Sequence, residues 1–290
     1  MRIGFIGAGK VATAFGRYLR GHGVAISGYY DRHAEKLAHA CSATGGRACR
    51  DAAEVTAISD MILITTRDDQ IEEVCENLGR QGAFGAHHWV GHMSGAHASL
   101  ILAAASQRGA AVFSLHPLQA FAQEEKALAD LAHTWFSLEG DDPRLMEIET
   151  LLVRIGNRCL RIGPQGKALY HLAACVFSNY LVTLMAHGMA ALAQSGIQPL
   201  EGFQAMRPLI EGTIANIARL GPAKALTGPI ARGDVSTVRH HLEALEATHL
   251  DALEDLYTFM GLKTLDLAVQ DVLRDQDKAD AVRKVLENIK

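Results

Sequence analysis

The chain has 290 residues, a formal net charge of −4, a sequence pI near 6.4, and 49% hydrophobic against 21% charged residues. That length holds one large domain or two medium ones with a sizeable core. The acidic balance excludes recruitment of nucleic acid or an anionic membrane through a basic face. The five cysteines form no CxxC pair, so a reducing cytoplasm is expected rather than a disulfide framework or structural zinc.

The chain opens on "RIGFIG" (Arg2–Gly7), a strand that runs straight into glycines and leaves no room for an export signal. A helix is predicted from about Lys10 to Arg20, a second strand over Val24–Asp31, and a second helix over "AEKLAHAC". A third strand covers Ser59–Thr66, with "DDQIEEVCENL" as the helix after it. Further strands are expected near His88–Gly95, at Ala110–Pro117 and at "TWFSLEG", with a helix at Ser99–Ser106. Strands alternating with helices imply βαβ units and a parallel, doubly wound sheet. From Gly163-Pro164 onward no β-run appears and helical periodicity continues to the end. The expected organisation is therefore an α/β dinucleotide-binding domain over 1–163 and an all-helical substrate and dimerisation domain over 164–290. The apolar stretch Ala168–Ala193 approaches membrane-spanning length. Because His171, Asn179 and His187 interrupt it, a core or interface helix is expected instead of a span.

"GFIGAGKVATAF" contains Gly7-x-Gly9-x-x-Ala12 at a strand–helix junction, with the acidic Asp31 about 20 residues on. Gly7 permits the tight turn, and Gly9 lets the backbone approach a pyrophosphate. Ala12 allows close helix packing, and the helix N-terminus that begins at Lys10 and Val11 faces the negative charge. Asp31 favours NAD through the ribose hydroxyls, whereas Arg32 favours NADP by clamping a 2′-phosphate; the balance is read toward NADP.

Ligands of such sheets sit outside the carboxyl ends of the strands. Thr65 and Thr66 end the third strand, where a cofactor passes. Ser94 and Gly95 end the fourth, offering a hydroxyl and an N–H to the nicotinamide or the substrate. His116, held rigid by Pro117, ends the fifth as a proton donor or substrate contact. His87, His88 and His92 are not read as a metal site. Strand alternation puts only His88 and His92 on one face, and no carboxylate or cysteine completes the set. Beyond the strands, helical spacing sets Lys167, His171, Ala174 and Ser178 on one stripe with Asn179 at its flank. Lys167 and His171 are the candidate catalytic groups, and Ser178 and Asn179 the candidate groups that orient the substrate. Arg232, in the loop "LTGPIARGD", is the candidate anchor for an anionic substrate.

Together "GFIGAGKVATAF", "HMSGA", "SLHPLQAF", "KALYHLAACVFSNYL" and "TGPIARGDVSTVRHHLEAL" resemble a family of bacterial Rossmann-like oxidoreductases. Its members join an NADP-binding domain to a C-terminal helical domain of unknown function, and the resemblance runs over essentially the whole chain. The wider clan includes 6-phosphogluconate and 3-hydroxyisobutyrate dehydrogenases, ketopantoate reductase, pyrroline-5-carboxylate reductase and prephenate dehydrogenase. Where the hydroxyacid dehydrogenases and ketopantoate reductase carry Lys-x-x-x-Asn, this chain has Lys167-x-x-x-His171. His116-Pro117 is similar to the His-Pro of prephenate dehydrogenase. The resemblance implies a homodimer and hydride transfer between NADP, with NAD as the alternative, and a small keto or imino carboxylate of the ketopantoate type. A non-catalytic sensor or scaffold that binds NADP(H) is the alternative reading.

Overall fold

The computed structural model describes residues 1–121 and 123–287, and the chain divides into two compact units, Met1–Asn179 and Tyr180–Lys290. The first unit is built on eight strands in the order β3-β2-β1-β4-β5-β6-β7-β8. They are β1 (Arg2–Ile6), β2 (Ala25–Tyr30), β3 (Arg47–Ala48), β4 (Met61–Ile64), β5 (Trp89–His92), β6 (Ala111–Pro117), β7 (Trp135–Glu139) and β8 (Arg158–Ile162). Helices α1 (Lys10–Gly21), α2 (Ala34–Thr44), α3 (Ala52–Ile58), α4 (Ile71–Arg80), α5 (Ala103–Ser106), α6 (Glu124–Asp130) and α7 (Met146–Arg154) connect them.

The core lies on both faces of the sheet, as side-chain alternation requires when both faces are covered. Along β4, Met61 and Leu63 join Phe5, Phe15, Leu19 and Phe136 on one face. Ile62 and Ile64 join Val55, Val90 and Leu78 on the other. The Phe5 and Tyr29 rings stack at 4.9 Å between neighbouring strands.

The sheet departs from the all-parallel expectation at one place. β7 runs antiparallel to β6, with His116 opposite Ser137 and Pro117 opposite Phe136. The segment after Pro117 re-enters the sheet from the end at which it left, so no crossover restores the parallel sense. β8 then pairs parallel to β7. The sequence reading missed β3, β8, α3, α6 and α7. β3 has only two residues, and Arg158 and Arg161 break the apolar pattern of the exposed edge strand β8.

The second unit is helical, as expected. It comprises α9 (Leu181–Gln194), α10 (Pro199–Leu220), the one-turn helices α11 (Pro222–Ala225) and α12 (Pro229–Arg232), then α13 (Val235–Thr248), α14 (Asp251–Ala268) and α15 (Gln276–Glu287). Its core is a cluster from α12 to α15 that includes Val238, Leu242, Leu265, Val282 and Leu286. Helix α8 (Lys167–Cys175) continues through a π turn at Val176–Tyr180 into α9, so that Pro164–Gln194 forms one helix long and apolar enough to cross a membrane. Of the expected core or interface helix, the core half fails here, because none of its most apolar window is buried within the chain. Phe177 is 80% exposed and Leu169 71%. The polar interruptions had suggested a core whose polar groups are satisfied, but the apolar side chains between them face outward.

Asn157 pins the return of the chain into β7. Its side-chain amide donates to the carbonyls of Leu131 at 2.7 Å and Thr134 at 2.9 Å, all three groups being buried. Asn157→Ala leaves the buried Thr134 carbonyl without a donor, while the Leu131 carbonyl keeps the Thr134 N–H at 3.1 Å, and is expected to cost about 1–3 kcal/mol of stability, read by urea unfolding.

Candidate active site

The glycine loop is clamped onto the sheet. Gly7 takes a φ of +108°, and a Cβ there would lie 2.6 Å from the backbone carbon and oxygen of Thr65, so only glycine fits. The Thr65 hydroxyl donates to the Gly7 carbonyl at 2.8 Å. Gly9 begins α1 with no side-chain cap, and a Cβ built on it would meet nothing within 4 Å. Ala12 is fully buried, Val11 is half-buried and Lys10 is exposed. The first turn of α1 thus offers backbone N–H groups beside an uncrowded glycine, the arrangement that suits a phosphate.

Asp31 is turned back onto this loop. Its carboxylate accepts the N–H of Ala8 at 2.8 Å and that of His33 at 2.8 Å, and lies 3.0 Å from the His33 ring. Burial raises its pKa, but these hydrogen bonds outweigh that and hold the group below the usual carboxylate range. Arg32, exposed and hydrogen-bonded to Gln70 at 3.3 Å, lines with Lys36, Gly9, Asp31 and Thr66 a cleft of about 440 Å³. In this cleft the Thr66 hydroxyl is buried without a partner. Arg67 also lines it, and a cleft with an open glycine, three cations and an orphaned hydroxyl fits a phosphorylated dinucleotide.

A second group of side chains gathers where β5 and β6 end. Lys167, the first residue of α8, is 1% exposed and donates from Nζ to Oγ of Ser114 on β6 at 2.7 Å. Its ammonium also stands 5.4 Å from the centre of the Tyr170 ring. Burial pulls the Lys167 pKa down to about 8, against the opposing pull of the Glu139 and Asp68 charges. His116 meets the Tyr170 hydroxyl through Nδ1 at 2.8 Å, and burial together with the Lys167 charge lowers it to about 4. It is therefore neutral at pH 7. The His171 ring lies 6.2 Å from that of His116, and its Nδ1 is buried without a partner. Gly95 sits between the two imidazoles. A Cβ there would come within 2.5 Å of Nδ1 of His171 and 2.9 Å of Nε2 of His116.

Lys167, His171, His116 and Ser94 therefore come together, all within the first unit. The Ser94 hydroxyl, however, is committed locally. It donates to Asp68 at 2.7 Å and accepts the N–H groups of Ala96 and His97 at 3.1 and 3.2 Å. Ser178 and Asn179 are exposed in the π turn. That turn carries an extra residue, which shifts the following positions by about 100° and brings Asn179, not Ser178, onto the Lys167–His171 line. Arg232 is exposed at the end of α12 in the second unit. Beside it Asp234 caps α13 through Ser236 and Thr237.

Sequence reasoning missed Ser114, Tyr170, Asp68, Glu139 and His92. The alternation of "VFSLHP" carried a signal for Ser114, since it shares a face with His116 in an otherwise apolar strand. Glu139 is buried, accepting the Ser99 N–H at 2.6 Å and the Ser99 hydroxyl at 2.8 Å. His92 is fully buried, accepts the Ser94 N–H at 3.2 Å and lies 3.3 Å from the Ala98 carbonyl, so it holds the Ser94–Gly95 turn.

A glycine loop opening α1, with buried ionisable groups at the strand ends, defines a Rossmann-type nucleotide-binding architecture. Residues 1–117 match the model of a Rossmann-like domain, and residues 134–264 match that of a domain of unknown function, DUF2520. The chain thus joins a Rossmann-like domain to a DUF2520 domain, in agreement with the family resemblance of its motifs. Among solved structures, a protein from Thermotoga maritima is 23% identical with a TM-score of 0.70, over 93% of this chain and 99% of that one. A protein from Bacteroides fragilis assigned as an NADP oxidoreductase is 21% identical with a TM-score of 0.72, over 91% and 97% of the two chains. An imine reductase from Pseudomonas sp. is 17% identical with a TM-score of 0.60, over 98% and 91%. At these identities the likeness speaks for the fold. No curated protein matches the chain.

The depressed lysine has a consequence for stability. Below pH 8 the folded state bears the cost of a buried ammonium. Between about 8 and the ordinary lysine value of 10.5 the folded state releases that proton before the unfolded state does, so stability rises with pH. Lys167→Met is expected to be more stable than the native protein at pH 7 by ~1–3 kcal/mol, with the gain fading toward pH 10.5, in urea titrations at both ends of that range.

Proposed function

We propose that the protein is an NADP-dependent oxidoreductase that transfers hydride between the nicotinamide and a small keto or imino acid. The observation that carries this reading is the desolvated Lys167 ammonium, hydrogen-bonded to Ser114 at the ligand end of the sheet that carries the glycine loop. The Bacteroides relative supports NADP as the cofactor, and the Pseudomonas one supports reduction of a C=N or C=O bond. Gly7, Gly9, Lys10, Val11 and Ala12 form the phosphate-binding turn, with Thr65 and Thr66 lining its far side. Arg32 and Lys36 receive the 2′-phosphate, and Asp31, held by Ala8 and His33, leaves them that role. When bound, the reduced nicotinamide supplies the hydride.

Lys167 supplies the proton. With a pKa of about 8 it is charged at pH 7 yet far more acidic than an ordinary lysine. His116 is neutral and acts as a hydrogen-bonding partner fixed by Tyr170. His171, with a free Nδ1, binds the substrate. Asn179 is the remaining candidate for its carboxylate within the first unit. Ketopantoate is the first keto acid to test, because Lys167 occupies the helix position that resembles the lysine of ketopantoate reductase. The exposed apolar surface of α9 and α10, with Val182 and Leu209 each 68% exposed, is read as a homodimer interface in the cytoplasm.

The test is fluorescence of NADPH and NADH with the protein, followed by a panel of keto and cyclic imino acids. NADPH is expected to bind more tightly, and at least one substrate to drive its oxidation. Lys167→Ala should lower kcat by about 10²–10⁴ with NADPH affinity retained. Turnover in the native protein should fall as pH rises through about 8, when Lys167 loses the proton it must donate. NADPH binding without reduction of any substrate would instead describe a sensor.

Gly9→Ala separates binding from folding. Its Cβ meets no protein atom, so unfolding should be unchanged. NADPH affinity measured on the same sample should fall about tenfold or more, the equivalent of ~1.4 kcal/mol, because the methyl group occupies the phosphate's approach.

A further inference from the structure

We infer that Ser114 is the positioning residue of this site, its hydroxyl fixing the Lys167 ammonium in the orientation from which it gives up a proton. The inference rests on the reading of Lys167 as the proton donor. Ser114 is fully buried in β6, and its hydroxyl has one proton to give, which goes to the Ser94 carbonyl at 3.2 Å. What it presents to Nζ of Lys167 at 2.7 Å is therefore a lone pair.

The acceptor end is itself fixed. Ser94 is anchored by its hydroxyl to Asp68 and by its N–H to His92. The chain of donors runs in one sense, from Lys167 through Ser114 to the Ser94 backbone. A hydrogen bond from a charged donor is stronger than one from the neutral amine, so Ser114 favours the protonated lysine and holds one of its three N–H bonds away from the substrate. The other groups that act on Lys167 are in place on every side. Asp68 follows β4, His92 ends β5, His116 ends β6, Glu139 ends β7, and Tyr170 and His171 lie on α8. His92 and His116, both near 4, have already lost their protons below the range in which Lys167 titrates.

The experiment follows the ε-carbon resonance of Lys167 in full-length protein labelled with ¹³C-lysine, the signal being assigned by its loss in Lys167→Met. In Ser114→Ala the titration midpoint of Lys167 should lie about one pH unit lower than in the native protein, the equivalent of a tenfold change. Turnover should fall about threefold at pH 7.5 with KM changed less than about twofold, since the protonated fraction of Lys167 falls by that factor. Ser114→Thr, which keeps the hydroxyl, should restore both. A folded Ser114→Ala whose Lys167 midpoint is unmoved overturns the proposal. Ser114→Cys, similar in volume and a poor acceptor, gives the same reading should the alanine variant unfold. If none of the keto or imino acids drives NADPH oxidation by the native protein the proton-donor reading fails, yet the titration comparison still stands, so the two failures are told apart.

Discussion

The structure of the first unit is organised around one expensive feature, a lysine ammonium removed from water. An isolated charge in such a place would neutralise or force the chain open. Lys167 stays charged at pH 7 because a serine lone pair, an aromatic ring and the fields of two carboxylates surround it. Those groups come from the ends of β4, β6 and β7 and from α8 itself. The strand order, the antiparallel return into β7 and the start of α8 must all be correct together for the ammonium to be tolerated.

The carboxylates matter as much for where they are held as for their charge. Among the described residues neither Asp68 nor Glu139 forms an ion pair with Lys167. Asp68 is taken by the Ser94 hydroxyl, and Glu139 by the backbone and hydroxyl of Ser99. Had either collapsed onto the ammonium, the direct pair would have raised the lysine well above its present value and made it a poor acid. Serine donors thus keep the negative charges near enough to retain the proton and far enough to leave it transferable. The fully buried His92 and the half-buried His116 stay neutral in part for the same reason that the lysine is weakened. Each is desolvated and each stands near a positive charge.

Much of this was legible in the sequence, and the limit was physical. The glycine loop, Asp31, His116 and Lys167 could be placed because each depends on local geometry: a positive φ, a strand end, a proline, a helical spacing. The central parallel strands β1, β4, β5 and β6 were legible because both their faces are apolar, whereas the exposed parallel edges β3 and β8 were not. β7 read as a strand but not as an antiparallel one, since sense is decided by where the connecting segment re-enters the sheet. Ser114, Tyr170 and Glu139 were missed because their roles arise from partners 53, 54 and 40 residues away, a separation that no window along the chain registers. Asp31 was legible as a residue but not as a conformation. That its carboxylate turns back onto Ala8 and His33 depends on the loop's final path.

The π turn at Val176–Tyr180 shows how one helix serves two ends. Before it, α8 must direct Lys167 and His171 toward the strand ends of the first unit; after it, α9 carries a broad apolar surface. In an unbroken α-helix the 3.6-residue repeat would lock the phase of the second stretch to that of the first. One inserted residue resets that phase by about 100°, at the cost of irregular hydrogen bonding over a single turn. The apolar face can then vary, or turn toward whatever covers it, without moving the lysine. The break falls at the division between the two compact units, so the Lys167 end of the helix is packed as part of the sheet domain and owes its geometry to that domain alone. A substitution on the α9 surface should therefore leave Lys167 undisturbed, because the π turn separates the two in register.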